Sequence, residues 1–115
     1  MDLKTKSMSI ISYDDFTKLD IRVAKIVAAE KIPGKTRIIK GTIDLGKEQR
    51  DVIIGGAEFY ELEEMVDKTV IVIANLEPKK MAGVESNAML LAADVDNKPY
   101  WLTVNEKVPL GTQIK

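Results

Sequence analysis

The feature that most restricts this chain is how often its apolar runs are interrupted. Short runs rich in Val and Ile, such as Val70 to Ile73, alternate with turn signals at Pro33-Gly34, Gly46, Gly55-Gly56, Gly83 and Asp96-Asn97. Such spacing suits short strands joined by tight turns. The longest apolar runs, near Val70 and Ala88, fall well short of the ~18 residues a membrane helix needs. No membrane span is expected.

In chain order, residues 1–12 read as a loose leader and 13–115 as one domain. Ser12 is placed to cap a short helix through Asp14, Asp15, Phe16 and Lys18, with Phe16 and Leu19 seating it on the core. Asp20 to Ile32 reads as a first strand. Its apolar set changes parity after Val23, which predicts a bulge or bend near Ala24-Lys25. Ile38 to Leu45 is a second strand, with Ile39, Gly41, Ile43 and Leu45 on one face. Gln49 to Ile54 is a third, ended by Gly55-Gly56. Ala57 to Val66 has helical spacing, with Phe59, Leu62, Met65 and Val66 on one stripe. Thr69 to Ala74 and Asn87 to Val95 read as further buried strands. A turn at Asp96-Asn97-Lys98 leads into Pro99 to Val104, an edge strand by virtue of its proline.

Three strands, one short helix and then more strands is the order of the oligonucleotide/oligosaccharide-binding (OB) fold. The expected class is all-β: a five-stranded OB-fold barrel with short helices and a C-terminal β extension.

The chain has 115 residues, 45% hydrophobic and 30% charged, with neither cysteine nor histidine. That removes thiol nucleophiles, imidazole bases, disulfides and the usual zinc ligands together. No catalytic constellation, cofactor motif or metal motif is visible, so a non-enzymatic role is expected. The N-terminus lacks a signal-peptide apolar region, so a cytoplasmic location is expected. Net charge is −1, yet the signs are segregated. Lys31, Lys35, Arg37 and Lys40 occur with no acid among them; Glu58, Glu61, Glu63, Glu64 and Asp67 occur with no base. Either these are two solvated segments or they form a functional dipole.

Between the fourth and fifth strands lies Asn75-Leu76-Glu77-Pro78-Lys79-Lys80-Met81-Ala82-Gly83-Val84-Glu85-Ser86-Asn87-Ala88-Met89. Pro78 restricts this loop and Gly83 lets it turn. A loop held at both ends by core can present polar groups in fixed geometry.

Three blocks resemble one family. They are Asp15-Phe16-x-Lys18-x-Asp20-Ile21-Arg22-Val23; then Asp44-Leu45-Gly46 with Arg50 and Gly55; then Asn75-Leu76-x-Pro78-x-Lys80, Gly83 and Ser86-x-x-Met89-Leu90-Leu91. From about Asp15 onward the chain resembles the tRNA-binding domain at the C-terminus of many methionyl-tRNA synthetases. The same domain occurs as a free-standing structure-specific tRNA-binding protein and in endothelial monocyte-activating polypeptide II-like precursors. The resemblance implies an OB-fold, tRNA as partner, a homodimer through a C-terminal segment including Tyr100, Trp101, Leu102 and Val108 (residues that could equally finish the monomer's core), and action in trans with methionyl-tRNA synthetase as an accessory subunit. It implies binding positions at Asn75, Lys80, Ser86 and Met89, with Lys79 an added neighbour and Arg37 a basic position between the first two strands. The chain departs from the family at Ile32 and Thr36, where His and Asp are usual, and at Ala24 and Ala88, where glycine is usual.

RNA loops are recognised by shape, phosphates and exposed bases. Lys35, Arg37, Lys79 and Lys80 are the expected phosphate contacts, provided that they gather along one rim of the barrel. Ser86 either donates to phosphate or ribose or bonds its own backbone. Met89 either meets a base or ribose or packs in the core. Asp20 and Arg22 suit a local ion pair. Aromatic content of 5% disfavours extensive base stacking. The acidic helix is expected to face away from RNA. The rival reading is a homodimeric protein-binding barrel like the secretion chaperones.

Overall fold

The computed structural model describes residues 9–115. Of the predicted leader, residues 1–8 lie outside the described residues, and 9–12 are exposed. Helix α1 (Tyr13–Thr17) starts as expected, with the Asp15 N–H donating to Ser12 Oγ at 3.0 Å. Phe16 packs on the barrel's outer cluster, whereas Leu19 is exposed.

Strands β1 (Ile21–Lys31), β2 (Ile38–Asp44) and β3 (Gln49–Gly55) form an antiparallel meander. After helix α2 (Leu62–Met65), β4 (Thr69–Ile73) returns to pair with β1. The loop after it is itself a hairpin of β5 (Lys79–Met81) and β6 (Val84–Ser86). Its turn residues Ala82 and Gly83 have φ of 53° and 79°, the left-handed pair that a two-residue hairpin turn needs. Then follow β7 (Met89–Leu90), β8 (Ala92–Val95), β9 (Lys98–Trp101) and β10 (Gln113–Ile114). The main sheet runs β3-β2-β1-β4-β7, with β10 added to β1. It curls into a nearly closed five-stranded barrel of the OB type.

Closure is made by a few specific bonds. The Asn87 N–H donates to the Asp51 carbonyl at 3.0 Å. The Ile53 N–H donates to Ser86 Oγ at 2.9 Å. Inside lie Ala24, Ile26, Ile39, Ile43, Val52, Ile54, Met65, Val70 and Val72. Alternate residues of β2 supply the inward set, as the sequence implies.

The parity change in β1 has another cause than the predicted bulge. Pairing with β4 runs unbroken from Ile21 to Lys25, while the register slips between Ile26 and Ala28. Val23 and Ala24 are both fully buried on opposite faces. Ala24 points into the barrel. Val23, with Ile21 and Ile71, is covered from outside by Val104, Val108, Leu110 and Ile114. A strand buried on both faces loses its alternation without any kink.

The predicted ten-residue helix is also corrected. Only Leu62–Met65 is helical. The Ala57 N–H donates to Arg37 O and the Phe59 N–H to Gly56 O, and residues 57–60 form a turn and bend ahead of the helix. Tyr60 donates its phenol to Pro99 O at 2.7 Å, and Phe59 stays exposed. The expected fifth strand is broken in two. The Leu91 N–H donates to Ile71 O, after which β8 leaves the barrel to pair with β9. All four β8 residues are exposed. Trp101, by contrast, packs on the core beside Tyr60, ring centroids 4.7 Å apart.

Candidate nucleic-acid interface

The β5–β6 hairpin stands at the open edge of β3. Strand alternation divides its side chains. Lys79, Met81, Val84 and Ser86 share one face, and Lys80 and Glu85 the other. The first face looks over the outer surface of β2 and β3, where Ile38 and Ile53 sit between inward-pointing neighbours. Together they enclose a cleft of about 220 Å³, completed by Leu76, Glu77, Ala88 and Met89. Met89 is therefore no core residue: it is 43% exposed, and Leu76 is 46% exposed. Among the described residues neither Lys79 nor Lys80 joins an ion pair.

Two of the expected contacts, Asn75 and Ser86, hold the framework through their side chains. Ser86 accepts from Ile53 and donates to Ala88 O at 3.0 Å. Asn75 accepts the Asp20 N–H at 2.8 Å and donates to Lys18 O at 2.7 Å, pinning the end of β4 to the approach to β1. The expected local pair of Asp20 and Arg22 is present at 2.8 Å.

Arg50 was not among the predicted site residues. Its guanidinium donates to the carbonyls of Ala74 and Asn87, the two feet of the hairpin loop, and to Glu48 Oε1 at 3.0 Å. The hydrogen bond from Arg50, together with its charge, holds the Glu48 carboxyl below its usual range. The available signal was Arg50 in the middle block with an acid, Glu48, two residues before it.

Lys35 and Arg37 belong to a neighbouring region. Lys31 and Lys35 line a second cleft of about 360 Å³ with Glu58, Glu61 and Glu64 opposite. Arg37 Nε lies 3.6 Å from Glu58. The acidic segment thus does not face away from the basic one, and the two opposite runs meet in space. The cations are divided between two clefts that adjoin at the start of β2: Arg37 directly precedes Ile38, which lines the hairpin cleft. The structure brings Lys79, Ser86 and Met89 together, sets Lys80 on the hairpin's far face, and puts Asn75 at its base.

Residues 21–113 match the family model described as "Putative tRNA binding domain". The chain belongs to this tRNA-binding domain family. A methionine–tRNA ligase from Methanocella arvoryzae is 51% identical over 106 residues, which make up 91% of this chain and 15% of that protein. Among solved structures, a MetRS-related protein from Pyrococcus horikoshii superposes with a TM-score of 0.87 at 37% identity, covering 94% of this chain and all of that one. The chaperone CsaA of Bacillus anthracis gives 0.84 at 25% identity, over 93% of this chain and all of CsaA. Within the tRNA-binding domain, the hairpin and its cleft are the Asn75-to-Met89 block that carries the family resemblance. Among the described residues no helix is long and apolar enough to cross a membrane.

Proposed function

We propose that the chain is a non-catalytic tRNA-binding module that grips tRNA by backbone and shape and acts in trans, in the cytoplasm, as an accessory partner of methionyl-tRNA synthetase. One observation carries this reading. A hairpin with two unpaired lysines is fixed at its feet by Arg50, Asn75 and Ser86, so its cations are presented without a large ordering cost. Lys79 and Lys80 contact phosphates; Arg37 and Lys35 extend the track across the start of β2. Met89 offers apolar contact beside them. Asn75 and Ser86 act by shaping the loop. The resemblance to methionine–tRNA ligases supports the choice of synthetase, with the chain spanning only 15% of the first relative's length.

Of the four residues expected at a dimer interface, Trp101 and Val108 pack within the monomer, while exposed Tyr100 and Leu102, with Val95, support a homodimer through the β8–β9 hairpin. They equally favour the second reading, a protein-binding barrel like CsaA, to which the fold is similar.

Titration of tRNA binding against salt tests the proposal. Four phosphate contacts give a slope of log affinity on log salt of about −3 to −4. Absence of a salt-sensitive complex, together with suppressed aggregation of unfolded proteins, would replace the tRNA reading with the chaperone one.

A further inference from the structure

We propose that the cleft between the β5–β6 hairpin and the outer face of β2–β3 receives one unpaired, unstacked base of the bound tRNA. This rests on the tRNA-binding reading and deepens it, since backbone and shape alone do not require such a socket. The walls are Ile38, Ile53, Leu76, Met81 and Met89. Leu76 and Met89 keep close to half their surface exposed. A sugar-phosphate chain laid on these side chains would leave apolar area uncompensated, whereas the face of a base covers it. The thioether of Met89 adapts to an aromatic ring without being one. The volume, about 220 Å³, lies below the ~300 Å³ where drug-sized pockets begin, which fits a single ring system.

The polar groups choose between base and phosphate as occupant. The Ser86 hydroxyl already accepts from Ile53 and donates to Ala88. That leaves Lys79 and Glu77. The Glu77 carboxylate accepts only, so it repels a phosphate entering the cleft and takes a donor from a base edge. Lys79 is left for the phosphate of the same nucleotide. The socket therefore holds the base, and the backbone follows the lysine side.

The test uses the full chain and a transcript of methionine tRNA in which each unpaired loop base is removed in turn. Loss of one particular base lowers affinity about 10-fold, within the range for a base stacked on a protein side chain, and leaves the salt slope unchanged. Met89→Ala lowers affinity for the intact transcript by a similar factor, again at constant slope. Against the transcript lacking that base it has no further effect. Leu76→Ala repeats the comparison at a second apolar side chain of the cleft, and circular dichroism confirms that both variants fold. If every base-deleted transcript binds like the intact one, or if the Met89→Ala loss adds in full to the loss from base removal, the socket is refuted while tRNA binding stands. If the native protein binds no intact transcript, the tRNA reading itself fails and the socket goes with it.

Discussion

Ser86 and Ile53 lie 33 residues apart, and the bond from the Ile53 amide to the Ser86 hydroxyl at 2.9 Å joins the hairpin to the edge of β3. A side chain here does what a backbone carbonyl does elsewhere in the sheet. Ser86→Ala strands that amide, and an unpaired amide shielded from water costs about 1–3 kcal/mol. Because the site is only partly buried, a loss of about 1–2 kcal/mol in urea unfolding is expected. A loss below the error of the measurement would mean that water takes over the bond.

Arg50 holds both feet of the hairpin loop. Arg50→Met is expected to cost about 2 kcal/mol and to speed amide exchange in β5 and β6 ahead of the barrel strands. Affinity for tRNA falls, but its salt slope stays the same because the guanidinium is turned to carbonyls rather than phosphate. Arg50→Lys does not rescue the exchange rates, since an ammonium lacks the planar fork. Normal hairpin protection in either variant argues against the clamp.

Gly111 has φ of 88°, and an added Cβ would collide with the Leu45 carbonyl. Gly111→Ala is therefore strained in conformation and in space, with an expected cost of about 1–3 kcal/mol. The damage should centre on the outer cluster of Ile21, Val23 and Ile71 and spare the barrel interior. Methyl NMR shifts of these residues report it. Changes spread evenly over the barrel would contradict this division.

Glu58 sits 3.6 Å from Arg37, whose side chain is 85% exposed. Glu58→Gln removes the internal anion and frees the cation. Binding of tRNA should tighten by about 2- to 5-fold at low salt and lose the gain at high salt. The opposite change, Lys79→Ala with Lys80→Ala, should weaken binding and flatten the salt slope by about one to two. Equal affinity in the first variant removes Arg37 from the interface; equal affinity in the second removes the lysines.

The Glu48 carboxyl, usually near 4.5, is lowered by its hydrogen bond to Arg50 and that residue's charge. A carboxyl with a folded value below its unfolded one adds stability above about pH 4.5 that fades as pH drops through the folded value. Glu48→Gln should shallow the fall in stability on the acid side and change nothing near neutrality. The effect is small, because the carboxylate is well exposed. An unchanged acid limb would show the pair to be silent.

Local pattern carried much of this architecture. The alternation in Ile38 to Asp44 and the cap at Ser12 were readable because each depends on neighbours in the chain. The break after Leu90 was not, since it depends on where Leu91 finds a carbonyl, on Ile71. Ala57 to Val66 has helical spacing, yet its first half forms a turn whose Ala57 amide bonds Arg37 O and whose Tyr60 hydroxyl bonds Pro99 O, 39 residues on, partners that local spacing does not reveal. In the candidate site, the family block marked the loop that forms the hairpin but could not say which side chains face outward. Asn75 and Ser86 turn to the framework, Met89 turns to the cleft, and Arg50 enters from another strand. The meeting of Arg37 with Glu58 was invisible for the same reason: charge runs reveal their partners only once folded.

The double cover on the first strand sets a timetable for folding on the ribosome. The residues that shelter Ile21 and Val23, Val104 to Ile114, come some eighty to ninety positions after them. Contacts that distant in the chain form late. Until those residues emerge, the barrel's opening strand has one greasy side showing, and the nascent polypeptide is open to holdase capture until the Gln113–Ile114 pairing forms.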